Sequence, residues 1–277
     1  MRSFPTRVLY STLSLLLVWA TATNARADVY WDINGSTPGT GAAPSGTWDL
    51  TTANWTTAAL GDIGTITWTD GEKAIFTAGT LGVDAVSAYN VTVVGSLAPS
   101  GIVNAMSGAL TISGGTLSLG ADGILATATA GDSTIGSSIT VAANQSWINN
   151  GGGLLNITGA AVINNVLTLT GSGTTQLSAA NSGFGTVNVA GGTVQIGNNS
   201  AFGFGQLILS GGTVTTSAGG SGGDRTISND LTINGTVAFG NTSFTGFALT
   251  FNGSNMSVAA DSTISNTNNN GLTFAVN

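Results

Sequence analysis

The sequence predicts an all-β chain, a parallel β-helix entered through a tryptophan-rich N-terminal cap. Three observations predict it: a short phrase recurs at a near-constant interval, each copy breaks at a glycine pair, and no window of a dozen residues after the leader has helical period with caps. Val187-Asn188-Val189-Ala190-Gly191-Gly192-Thr193-Val194-Gln195-Ile196 is matched twenty residues on by Leu207-Ile208-Leu209-Ser210-Gly211-Gly212-Thr213-Val214. Each copy alternates apolar and polar residues, meets the glycines and resumes the alternation, which reads as strand, tight bend, strand. The phrase also stands at Leu110-Thr111-Ile112-Ser113-Gly114-Gly115-Thr116-Leu117, and looser copies begin at Leu167, Leu231 and Leu249. From Leu167 onward the starts are 20, 20, 24 and 18 residues apart. A period of that size marks a solenoid, whose repeats bury their apolar faces only against one another.

Taken in order, the chain opens with Arg2 and Arg7, an apolar run over 13–22 and the small residues of Ala25-Arg26-Ala27. That layout predicts a secretory signal over 1–27, cleaved to leave Asp28 first; the strongly apolar part is shorter than the roughly 20 residues of a spanning helix. Residues 28–72 form the expected cap, with Trp31, Trp48, Trp55 and Trp68. The end of a solenoid exposes an apolar cross-section, and large aromatics cover it efficiently. The same four rings could instead form a platform on which sugars stack. Residues 73–277 carry the coils, beginning with short β segments at Ala74-Ile75-Phe76, Tyr89-Asn90-Val91-Thr92-Val93-Val94 and Leu110-Thr111-Ile112, and continuing at Ile139-Thr140-Val141 and Leu155-Asn156-Ile157. A constant period favours parallel stacking over the hairpins of a sandwich.

Composition narrows the chemistry. Once residues 1–27 are removed, two basic residues, Lys73 and Arg225, face twelve carboxylates, and 2 − 12 leaves a net charge of −10. Such a surface repels phosphate backbones and anionic lipid, so no nucleic-acid partner is expected. There is no histidine and no cysteine, which removes the common general base, thiolate nucleophiles, thiolate metal sites and disulfides. Glu72, beside Lys73 and near Asp70, is the one glutamate and reads as part of a solvated turn. Gly219-Gly220-Ser221-Gly222-Gly223-Asp224 fits the opening of a calcium-binding nonapeptide, but Thr226 stands where an apolar residue belongs and no tandem copy follows, so it reads as a loop. No catalytic, cofactor-binding or metal-binding residue is assigned. The six glycines Gly114, Gly115, Gly191, Gly192, Gly211 and Gly212 are assigned a structural role at the bends.

The run from Gly171 to Ile196, with its glycine-led strand, the step from Leu177 to Asn181, the Phe184-Gly185 pair and the Val-Asn-Val-Ala-Gly-Gly-Thr-Val close, resembles the autotransporter-associated β-strand repeat, also called the passenger-associated transport repeat. The tryptophan-rich opening with Ala53-Asn54-Trp55 resembles the start of many secreted bacterial proteins that carry it. The resemblance covers one repeat closely and about two thirds of the chain after the leader loosely. It implies a right-handed parallel β-helix, exported to the cell surface or beyond, acting as a non-enzymatic stalk, adhesin or matrix component. Members of that family continue into a translocator barrel or sorting anchor in the outer membrane, and the ending Gly271-Leu272-Thr273-Phe274-Ala275-Val276-Asn277 shows neither. The expectation is therefore a fragment of a longer protein, or an edge closed by self-association. Two other functions compete: a module binding extracellular glycans through Trp31, Trp48, Trp55 and Trp68, and, further back, a polysaccharide-degrading β-helix.

Overall fold

Alternating sequence becomes stacked coils. The structure, a computed structural model, describes residues 27–79, 87–217, 223–240, 247–267 and 271–275, and every strand and helix assigned among them is a strand. The expected leader lies outside them except for Ala27, and the first strand is Asp28–Trp31. The backbone winds into a β-solenoid of about eight turns. One wall is a sheet of eleven strands, the second a sheet of ten, and the third face is divided into a four-stranded and a three-stranded sheet. All pairings are parallel except that of Asp28–Trp31 with Trp55–Thr56, which belongs to the cap, and the bridge from Trp55 to Ile66.

Register shows why the phrase repeats. On the first sheet Leu167 stacks on Val187, Val187 on Leu207 and Leu207 on Leu231. Two residues along, Leu169, Val189, Leu209 and Ile233 do the same, and both columns are buried. The residues between them, Thr168, Asn188, Ile208 and Thr232, point outward, as period two requires. Each buried aliphatic side chain contributes about 1.5–3 kcal/mol, and only because the coils above and below complete its surroundings.

At the bends between the first and second sheets, Gly192 and Gly212 adopt φ of 68° and 77°. Gly211 is needed for a different reason: a Cβ there would lie 2.7 Å from the Ala190 carbonyl oxygen of the coil below.

Two parts of the repeat reading are corrected. Leu249 does not continue the series from Leu231; it stacks between Arg225 and Leu272 on the third face, and Leu231 pairs instead with Met256. The copy at Leu110 also occupies another corner. Leu110–Ser113 lies in the second sheet and Thr116–Leu119 in the third face, whereas Val187–Val189 and Thr193–Ile196 belong to the first and second. All corners of the coil pose the same problem, a sharp bend under a neighbouring backbone, so one local phrase serves at more than one of them.

Four tryptophans close the N-terminal end. Trp31, Trp48, Trp55 and Trp68 are at most 2% exposed, with centroids 4.9–5.2 Å apart in tilted or edge-to-face pairs, and Phe76 packs against three of them. Trp31 Nε1 donates to the Pro44 carbonyl and Trp68 Nε1 to Asp70.

The third face changes character along the solenoid. Ser96–Leu97, Thr116–Leu119, Ser138–Val141 and Ala161–Ile163 form its four-stranded sheet, and Arg225–Ile227, Leu249–Phe251 and Leu272–Phe274 its three-stranded one. Between them two coils cross the face without a strand, keeping only a bridge from Val162 to Ser182.

Candidate functional site

The glycan platform that stood as the alternative to a cap at Trp31, Trp48, Trp55 and Trp68 is not built there. Their rings face one another in the core, and a sugar needs an exposed ring face. The sequence marked these positions as large and apolar but not as inward or outward.

The acidic turn is similarly occupied. Glu72 accepts a hydrogen bond from the Thr69 amide, and Asp70 accepts from the Trp68 indole and the Ala98 amide. Burial raises the Glu72 carboxyl above its ordinary range, against the opposing effect of the Thr69 amide. Lys73 makes its ion pairs with Asp122 at 3.4 Å and Asp28 at 3.9 Å, tying its coil to the one before and, across Gly101, to the second one after. The Asp49 carboxylate accepts from the backbone amides of Thr52 and Thr51 and from both hydroxyls, and these bonds, the Thr52 amide foremost, lower its pKa. Of the glycine-rich stretch 219–224, residues 219–222 lie outside the described residues; Asp224 accepts from the Ala248 amide.

A feature with an open aromatic face lies where the third face loses its strands. Scattered main-chain bonds, such as the Phe204 amide to the Gly183 carbonyl, are supplemented there by side chains. Asn181 Oδ1 accepts from the Ala161 amide and its Nδ2 donates to the Ala201 carbonyl, linking three coils. Asn229 Nδ2 donates to the carbonyls of Gly203 and Gly205. The backbone then turns outward twice, at Gly183-Phe184-Gly185 and Gly203-Phe204-Gly205. Gly183 and Gly203 have φ of 93° and 68°, and a Cβ on Gly205 would collide with the Gly185 carbonyl oxygen. Phe184 is 81% exposed and Phe204 57%, their ring centroids 6.0 Å apart on successive coils.

The rings border a groove of about 410 Å³ whose polar wall includes Gln206, Ser228, Asp230 and Ser254. A second depression of about 250 Å³ shares Phe204 and Ser228 with it and is also lined by Asn199, Ser200 and Thr226. The polar groups are held in place: Gln206 Nε2 donates to Thr232, Ser228 to Asn252 Oδ1, and Asp230 accepts from the backbone and side-chain amides of Asn255. An apolar platform with a few oriented polar groups is the composition of a small-molecule or saccharide site. In the sequence Phe184-Gly185 reads only as part of the repeat. The available signal was the second copy: an aromatic between two glycines, twice at an interval of twenty, sits outside the alternation that would bury it. Compared with known families, curated proteins and solved structures, the chain matches none of them.

Proposed function

We propose that this chain is a non-enzymatic, exported surface module of the autotransporter-passenger kind, a rigid β-solenoid that adheres through its third face to neutral extracellular glycan. The exposed Phe184 and Phe204 pair carries this reading. Two large apolar rings held in water on rigid coils cost solvation, and stacking against a saccharide face returns it. The acidic balance of the chain disfavours polyanionic polysaccharide and selects neutral sugars. Preorganisation helps, because no loop has to be ordered before the ligand is met. The stacked Thr134, Asn156, Gln176 and Gln195 of the second sheet add a neutral polar flank suited to weak, repeated contact. The exposed inward-register positions Val258 and Ile264 support association with a second copy.

Neutral oligosaccharides immobilised as an array test the adhesive role. Phe184→Ser and Phe204→Ser are expected to lose binding about tenfold or more while unfolding within about 0.5 kcal/mol of the parent, since both rings are mostly exposed. Retention unaffected by either change, or release of cleaved sugar from any glycan, contradicts the reading.

A further inference from the structure

The cap holds a group of oxygens that the fold buries without satisfying. Residues 32–40, Asp32-Ile33-Asn34-Gly35-Ser36-Thr37-Pro38-Gly39-Thr40, make a closed excursion immediately after the first strand. The Ile33 amide donates to the Thr40 carbonyl, closing it, and the Gly39 amide donates to the Leu60 carbonyl, anchoring it. Asp32 and Thr40 are fully buried. Asp32 Oδ1 accepts from the Asn34 amide. Asp32 Oδ2, Asn34 Oδ1 and Thr40 Oγ1 are each buried with no hydrogen-bond partner.

The three atoms are carried by side chains of one nine-residue loop closed on itself by backbone bonds. The Asx turn folds the Asp32 carboxylate over Asn34, and the Ile33 to Thr40 bond sets Thr40 beside the same backbone. A methyl placed on Gly41 would lie 3.9 Å from the Asn34 carboxamide carbon, so that side chain rests against the segment following Thr40. An orphaned buried oxygen costs about 1–3 kcal/mol, and three within one short loop call for a shared partner. Among the described residues Asp32 has no ion pair, and Lys73 makes its ion pairs with Asp28 and Asp122.

We propose that this loop binds a calcium ion through Asp32 Oδ2, Asn34 Oδ1 and Thr40 Oγ1. All three are hard oxygen donors, one carries charge, and the loop has neither nitrogen nor sulfur ligands to favour a transition metal. Calcium accepts roughly six to eight oxygens in flexible geometry, so backbone carbonyls and water supply the remainder. A single carboxylate places the affinity in the weak range of extracellular modules, roughly 10⁻⁴–10⁻³ M. The ion would seal the loop that follows Trp31 of the tryptophan cluster, coupling the closure of the solenoid to extracellular calcium.

Trp31 is the neighbour of Asp32 in sequence and lies 5.1 Å from Trp55, centroid to centroid, which provides the assay. The full chain, stripped with chelator and titrated with terbium, is excited at tryptophan and terbium emission is read. Sensitised emission that calcium displaces and magnesium does not is expected, with Asp32→Asn weakening it at least about tenfold and Thr40→Val weakening it less. Asp224→Asn, in the other glycine-rich loop, should leave the signal unchanged. Thermal unfolding supplies a second measurement. In chelator Asp32→Asn should be at least as stable as the parent, because it removes a buried charge and sets an amide N–H beside the oxygens of Asn34 and Thr40. In millimolar calcium the parent should gain a few degrees in Tm and the variant none. Emission insensitive to Asp32→Asn, or a parent Tm identical in calcium and chelator, overturns the proposal and leaves a protonated carboxyl or buried water as the partner.

Discussion

The third face crosses the same gap in two ways. Thr116–Leu119, Ser138–Val141 and Ala161–Ile163 hold one another by a regular main-chain ladder, with inward residues such as Leu117 and Ile139 buried. In the next two coils the regular ladder lapses to scattered main-chain bonds, such as the Asn181 amide to the Ser200 carbonyl, and the carboxamides of Asn181 and Asn229 reach between coils to bond further backbone groups. Both stretches satisfy their buried amides, as any folded chain must. They differ in what the backbone is free to do: a strand must alternate, so every second residue goes inward, whereas a segment pinned by two side chains can turn its residues out. Phe184 and Phe204 are exposed in the second stretch for that reason.

The comparison can be broken most forcefully in the strand-built part. Ile139→Ala removes a side chain packed between coils that cannot collapse, and should cost about 2–5 kcal/mol in urea unfolding. Next comes the side-chain-built part. Asn181→Ala strands the Ala161 amide and the Ala201 carbonyl in buried positions, with an expected loss of about 2–3 kcal/mol. If the alanine variant were neutral, the carboxamide would not be replacing the strand, and the distinction between the two stretches would fail.

A smaller effect sharpens the same point with pH. Asp49 also substitutes a side chain for main-chain pairing, but with a charge, so its folded pKa lies below the unfolded value. The unfolded chain then binds the proton more readily, and the contribution of Asp49 is present above the ordinary carboxylate range and lost as pH falls through the depressed value. The difference in stability between the parent and Asp49→Asn should therefore shrink on acidification through that window. The Asn181 deficit should stay constant there, because a carboxamide does not titrate.

Much of this molecule could be read from residue order. Strands at Leu110, Ile139, Leu155, Val187 and Leu207, their bends and the solenoid class all follow from local rules: alternation places side chains on two faces, and paired glycines permit the corner. The corner assignments could not be read the same way. Leu110 and Leu249 carry the right phrase in the wrong sheet, because a bend is specified by its own few residues while its place in the coil depends on how much chain has been used since the previous turn. Orientation was also hidden. Trp31 and Phe184 are both large aromatics beside turns, yet one is sealed in the cap and the other stands in solvent. Residue order set the alternation and the period because these act within a few residues; the tertiary structure decided which aromatic stays wet and which oxygens go unpartnered, since both depend on coils far apart along the chain.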